Sequence, residues 1–518
     1  MSTSRLRNLA IAIAIAAIAV GTLGTPAVHT ALTDARPAAS HTTQATDQRT
    51  TSAGASLRDD FDHDFNGDGY ADLVTATPKA PVNGQVGAGS VVVLYGSANG
   101  VAPSRSATLT QATTGVPGSP EAGDGFGSDV ASGDLDGDGY DDLVVASSGE
   151  KAADGSAGTG SVTVLWGGSQ GLTNGGTAVP DDRAGVPVGD PFGIDVAVAD
   201  IDGDQGQNLI VLTGTSLVPY ADGFTRTAPS AAMPVTDSVR ENPHALATGD
   251  FTGSGSSDIV VYGSQDADET SGAWTAVYSG GPAGVEFQRE LTNGASAVPE
   301  SAAVGDFDKD GRADLVTGSG TNCCPDSVDD PSASAGQITV YYGAQNGLGT
   351  GRRPVLIHQG TAGVPGADEW VDHFGAALAA GDVTDDGYAD LAVGVPGEEV
   401  DGVAGVGSVV LLKGGASGLT GTGAQALHQD TTGVPGAGEK DDHFGSALRA
   451  TDLNGDGRAD VAISARGEDV TPGATADGAV WALRGARGGI TTTGATSFSA
   501  PKFGFTYTDS EFGSVLAN

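Results

Sequence analysis

Asp64-Phe65-Asn66-Gly67-Asp68-Gly69-Tyr70-Ala71-Asp72-Leu73 places oxygen-bearing side chains at positions 1, 3, 5 and 9 and a glycine at position 6. Alternating oxygens in a sharply turned loop converge on one hard cation, with the carbonyl of position 7 as a further ligand. The stretch is therefore a calcium-loop candidate. An EF-hand is excluded: there is no Glu at position 12, and Leu73-Val74-Thr75-Ala76-Thr77 is rich in β-formers where a helix is required. The loop joins two strands.

Six further copies begin at Asp134, Asp200, Asp250, Asp306, Asp382 and Asp452, at separations of 70, 66, 50, 56, 76 and 70 residues. A period averaging about 65 residues suits one four-stranded blade with generous loops. Strands are predicted near Tyr70–Thr77, Gly89–Gly96, Ser106–Ala112, Tyr140–Ala146, Gly160–Trp166, Leu209–Leu212 and Gln337–Tyr342, with an abbreviated third repeat. Phe-Gly pairs precede several loops, at Phe126, Phe192, Phe374 and Phe444, and the chain ends on Phe512-Gly513-Ser514-Val515-Leu516 with no loop after it. The first repeat has a loop but no such strand before it. The expected fold is all-β, a seven-bladed β-propeller of four-stranded blades, closed by pairing of the C-terminal strand with the first blade. Closure removes open sheet edges.

Repetition overrides the prior of two or three domains for 518 residues. Residues 1–30 read as a signal peptide, with Arg5 and Arg7 ahead of an apolar run from Leu9 to Val20 that is too short to span a bilayer. Residues 31–57 read as a flexible Ser/Thr/Ala-rich spacer, and 58–518 as the propeller. The expected location is secreted and extracellular, with no stable membrane span after signal removal. A formal charge of −41, from 65 acidic against 24 basic residues, disfavours a nucleic-acid partner. The two cysteines, Cys323 and Cys324, are adjacent in an insertion. A vicinal disulfide that stiffens the loop, pairing between chains and free thiols all stay open.

Four loops hold full oxygen sets: Asp64, Asn66, Asp68 and Asp72; Asp134, Asp136, Asp138 and Asp142; Asp306, Asp308, Asp310 and Asp314; and Asp452, Asn454, Asp456 and Asp460. Asp382, Thr384, Asp386 and Asp390 form a fifth. About five Ca²⁺ sites are expected, because Ca²⁺ tolerates a mixed, flexible oxygen set better than Mg²⁺. The third loop, Asp200, Asp202, Asp204 and Asn208, is weaker, since Gln205 replaces the position 6 glycine. The fourth keeps Asp250 and Asp258 but has Thr252 and Ser254 between them, and is expected to be empty. Turns held only by Asx hydrogen bonds would explain one such loop, but closely spaced acids repel when nothing neutralises them. Gly167-Gly168-Ser169-Gln170-Gly171 satisfies the G-x-S-x-G hydrolase pattern, yet Gly96–Gly100, Gly343–Gly347 and Gly414–Gly418 mark it as a repeated strand-end turn. No catalytic residue is assigned. His373 and His443 read as loop packing residues, Trp166, Trp274 and Trp481 as inter-blade core, and Trp370 as a loop anchor.

Phe-Gly, an acidic loop and then Gly394-Val395-Pro396 or Ala465-Arg466-Gly467 resemble the FG-GAP repeats of the integrin α-chain β-propeller, a family also found in bacterial secreted proteins. The resemblance covers about 60–518 and implies seven blades with structural calcium in the hairpin loops. It implies a calcium-binding adhesion scaffold, expected to be a monomer, for an extracellular protein or glycan. The alternative is a secreted hydrolase or lyase acting on an extracellular polymer or phosphoester. Repeated-loop acids do not by themselves create the unequal environments that acid/base catalysis needs.

Overall fold

β-Branched runs such as Ser90-Val91-Val92-Val93-Leu94 are buried along their whole length, as are Leu73–Thr77, Asp142–Ser147, Asp314–Ser319, Asp390–Val395 and Asp460–Ala465. A strand buried on both faces needs a layer above and below it. In the computed structural model that layer is the neighbouring blade. The described residues are 63–517, apart from 152–158, 174, 182–189, 236–238, 266–271, 292–297, 321–334, 370, 471–475 and 505–509. The expected signal peptide and spacer, Cys323, Cys324 and Trp370 lie outside them.

The strands form seven antiparallel sheets. Blade 1 is ordered Val515–Leu516, Leu73–Thr77, Ser90–Leu94, Ser106–Leu109. Blade 2 is Phe126–Gly133, Asp142–Ser147, Ser161–Leu165, Gly176–Val179, and blades 4 to 7 repeat this order from inner strands Pro243–Gly249, Ser301–Gly305, Leu378–Gly381 and Phe444–Thr451. Blade 3 departs from the expected four strands. Among the described residues it has three, Phe192–Ala199, Asn208–Thr213 and Leu217–Pro219, and its remainder continues through isolated bridges at Tyr220–Ala232 and Thr225–Ala228. The predicted strand starting at Tyr70 begins at Leu73, because the loop occupies the residues up to Asp72.

Inner strands touch in sequence around the ring, and Val515–Leu516 stands between those of blades 7 and 2. Thr75 pairs with Leu516 and Ala76 with Val515, so the last strand completes the first sheet. The core lies between blades: Leu73, Leu94, Leu453, Val480, Phe498 and Phe512 form the cluster that seals blade 7 to blade 1. Trp166, Trp274 and Trp481 are buried in such clusters, as expected. Adjacent blades approach closely where Gly407 passes Phe444. An added Cβ would lie 2.3 Å from the Phe444 carbonyl oxygen, and φ is +83°, so only glycine fits.

A buried His63 reinforces closure. Its Nδ1 is 2.7 Å from Ser132 Oγ of blade 2, and its Nε2 accepts from the Arg449 guanidinium of blade 7. Burial and the Arg449 charge hold the imidazole well below its ordinary pKa. The ring is therefore neutral, with its proton on Nδ1 donating to Ser132.

Carboxylates also link blades 2, 3 and 4. Asp129 accepts the Val196 N–H at 2.7 Å, and Asp195 accepts that of Leu246 at 3.2 Å. The two carboxyls hydrogen-bond to each other beside Tyr262, and both are held above the usual carboxylate range, chiefly by burial, Asp195 more strongly because of Asp129. A folded pKa above the unfolded one means the native state holds the extra proton, so this stability is full at low pH and is lost as pH rises through the folded value. Urea midpoints are expected to fall between pH 5 and pH 8 in the wild type. In Asp195→Asn, which keeps an acceptor for Leu246, they should fall less; an equal fall in both would contradict the shared proton.

Candidate metal loops

In blades 2 to 7 each loop is the hairpin between the first and second strands, and in blade 1 it leads into the second strand, Leu73–Thr77, so the loops gather at one end of the ring. Position 1 organises the turn. Asp64 accepts the N–H groups of Asp68 (3.1 Å) and Gly69 (2.7 Å), and Asp134, Asp306, Asp382 and Asp452 repeat this pair of bonds. The turn needs left-handed backbone at position 6, supplied by glycine at φ near +85° in six loops and by Gln205 at +76° in the third. Replacing Gln205 with glycine is expected to stabilise the protein by about 0.5–1 kcal/mol, the left-handed penalty less the entropy glycine loses on folding. An unchanged urea midpoint would show that the loop relieves this strain elsewhere.

Position 9 ties the loop to the blade. Asp72 accepts Phe65 N–H at 3.1 Å and Gly96 N–H at 2.8 Å. Asp142 with Gly167, Asp314 with Gly343, Asp390 with Gly414 and Asp460 with Gly485 do the same. Gly96, Gly167, Gly343 and Gly414 open the turn after the third strand, and Gly485 lies near the end of that strand in blade 7, which gives the G-x-S-x-G stretch its role. A Cβ on Gly167 would lie 2.1 Å from the Asp141 carbonyl oxygen, and Gly167 N–H is a carboxylate anchor. Sequence reading identified the turn but not its partner, although the recurring glycine carried the signal.

Burial, followed by the neighbouring loop acids, pushes Asp72, Asp142 and Asp314 up to about 8. Asp390 and Asp460 rise to about 6, also through burial, eased by the Thr384 hydroxyl and the Asn454 amide. Crowded, buried carboxylates favour whatever neutralises them.

Three loops bring carboxylate oxygens within 4.8 Å of one another: Asp134, Asp136 and Asp142; Asp200, Asp202 and Asp204; and Asp306, Asp308 and Asp314. In all three, Oδ1 of position 3 (Asp136, Asp202 and Asp308) is buried without a hydrogen-bond partner. A buried acceptor left unpaired is costly, so an inward-facing orphan oxygen in an all-oxygen loop fits a cation. The seventh loop differs: Asn454 Nδ2 donates to Asp460 at 2.7 Å. In the fourth, the Thr252 and Ser254 hydroxyls donate to Asp250 at 3.4 Å. Guanidinium groups reach the outer edges. Arg226, from the blade 3 remainder, bonds Asp136 (3.0 Å) and Asp138 (2.6 Å), and Arg105 bonds Asp68 (2.7 Å). No sequence pattern announced these arginines.

His443 packs with Nδ1 3.0 Å from the Pro396 carbonyl oxygen, a loop contact as expected.

An FG-GAP repeat family model matches residues 126–165, 298–341, 374–412 and 444–483, and an FG-GAP-like repeat model matches 64–145. The matched residues fall in blades 1, 2, 5, 6 and 7. The chain is 29% identical over 237 residues to integrin alpha pat-2 of Caenorhabditis briggsae, covering 43% of this chain and 18% of that one. It is 31% identical over 175 residues to integrin alpha-IIb of Mus musculus, covering 33% and 15% respectively. With the phosphatidylinositol-glycan-specific phospholipase D of Bos taurus it shares 36% identity over 92 residues, 18% of this chain and 11% of the relative. The chain thus spans less than a fifth of the length of these relatives. FG-GAP repeats match five of the seven blades, and the chain is a β-propeller of the FG-GAP repeat, integrin α-like family.

Proposed function

We propose that the protein is a secreted, calcium-stabilised propeller that works as a monomeric binding scaffold of the adhesion type for an extracellular protein or glycan. The observation that carries this reading is the orphan oxygen at position 3 inside preformed, all-oxygen hairpin loops. Hard oxygen donors in mixed carboxylate, amide, hydroxyl and carbonyl sets suit Ca²⁺, and the absence of Cys or His from the sets disfavours softer metals.

Ca²⁺ would be held by the loops beginning at Asp64, Asp134, Asp306, Asp382 and Asp452. The loop at Asp200 gains support from Asp202 Oδ1, and the loop at Asp250, satisfied by its own hydroxyls, is left out. Bound cations would offset the carboxylate repulsion and fix each hairpin. The loops at the opposite end, between second and third strands and between blades, would then be free to carry recognition on a rigid platform.

The test is calorimetric Ca²⁺ titration of the full chain, followed by protein and glycan arrays with variants in the opposite-end loops. About five or six equivalents and a loop-dependent ligand are expected. Absence of Ca²⁺ binding would reject the metal reading; binding unaffected by every loop variant would reject the recognition face.

A further inference from the structure

At the end of the ring opposite the metal loops, blade 6 has a recess of about 200 Å³ between the incoming inter-blade loop and its own second-to-third-strand loop. Gln359 is 2% exposed and donates through Nε2 to Glu398 at 2.6 Å, which leaves its Oε1 buried with no partner. His428 Nδ1, also lining the recess, is buried and unpartnered as well. Pro365, Val400 and Val410 supply an apolar wall, Glu399 and Asp401 add negative charge, and no lysine or arginine lines it.

Blade 7 shows how the fold fills the equivalent space. Val410 follows Gly407 by three residues as Trp481 follows Gly478, and Pro365 corresponds to Pro435. Trp481 is buried with its Nε1 donating to the Pro435 carbonyl at 2.7 Å. Blade 6 has a valine where blade 7 has that indole, and Val410, 1% exposed, lines the floor of the recess.

We propose that this recess binds an alkylammonium group. Its acceptors are Gln359 Oε1 and His428 Nδ1, in the tautomer protonated on Nε2, both unpartnered, and the carboxylate of Glu398, which already takes one bond from Gln359; Gln111 and Gln429 carry the same unpartnered Oε1 in blades 2 and 7, so His428 and the missing indole set this recess apart. They match the three N–H donors of a primary ammonium, and the apolar wall matches a short aliphatic stem. A metal ion fits less well. Among the described residues, no three His, Cys, Asp or Glu ligand atoms gather here within 4.8 Å, and an apolar wall offers it nothing. The same ammonium chemistry can come from a free amine or from a lysine side chain on a partner protein. This inference does not depend on the calcium reading.

The test is titration of the Ca²⁺-saturated full chain with n-butylammonium chloride at constant ionic strength, followed by saturation-transfer NMR and calorimetry. Saturable 1:1 binding with a Kd on the order of 1 mM is expected. Tetramethylammonium, which has no N–H, and n-butanol, which has no charge, should bind at least tenfold more weakly, and Val410→Trp should weaken n-butylammonium by at least tenfold. If Val410→Trp does not fold, Glu398→Gln should give the same loss. An acetylated, amidated Gly-Lys-Gly peptide binding at least as tightly as butylammonium, and losing binding on Nε-acetylation, would identify a lysine partner; butylammonium binding alone would identify a free amine. No saturation, equal binding of tetramethylammonium, retention in a folded variant, or displacement of the amine by added Ca²⁺ would each overturn the proposal.

Discussion

Chelating divalent cations from the full chain is expected to lower its melting temperature by about 10–15 °C. A site bound at a free Ca²⁺ concentration of 100 Kd stabilises the native state by ~2.7 kcal/mol, so five sites contribute about 13 kcal/mol. With about 450 folded residues, the unfolding entropy is on the order of 1 kcal/mol per kelvin, which converts that energy into the stated shift. The structural basis is the crowding at positions 1, 3 and 9, where Asp136 and Asp308 each present a buried oxygen without a partner and Asp142 and Asp314 sit far above the ordinary carboxylate range. Differential scanning calorimetry with and without chelator, and with Asp136→Ala and Asp308→Ala, measures it. The double variant should reproduce part of the loss in the presence of Ca²⁺. A melting temperature indifferent to complete chelation would mean that the arginines and backbone N–H groups satisfy these loops without metal.

Removing residues 510–518 is expected to make the chain self-associate. Val515–Leu516 is the innermost strand of blade 1, and without it Leu73–Thr77 presents an unpaired edge while the core cluster between blades 7 and 1 is exposed. Open edges of that kind pair with other chains. The milder change Phe512→Ala isolates the packing. Phe512 is 1% exposed and stacks on Phe503 with ring centroids 5.4 Å apart, and its truncation should cost about 3–5 kcal/mol. Size-exclusion chromatography with light scattering reads the first outcome and urea denaturation the second. A truncated chain with the same solution mass per chain and the same midpoint as the full chain would show that the ring does not depend on its closing strand.

The acidic loops, blade count, closing strand and buried tryptophans were legible in the chain because each depends on short-range pattern. Oxygens at positions 1, 3, 5 and 9 specify a turn, and alternation with β-branched runs specifies the strands beside it. Blade 3 was legible only as an abbreviation. Among the described residues it has no fourth strand, and the segment after Pro219 carries no repeat to compare.

What sequence alone determined here is a ring of seven repeated hairpins with oxygen-lined turns. Only the tertiary structure decided that Asp72 anchors Gly96, that Asp129 reaches Val196 across 67 residues, that Arg226 caps a loop 90 residues earlier, and that Val410 lines the floor of a recess while Trp481 donates to Pro435. A local turn is fixed by residues within a few bonds of one another. Which carboxylate meets which amide, and which recess stays empty, depends on how closed wedges press together, and that geometry exists only once the last strand has joined the first.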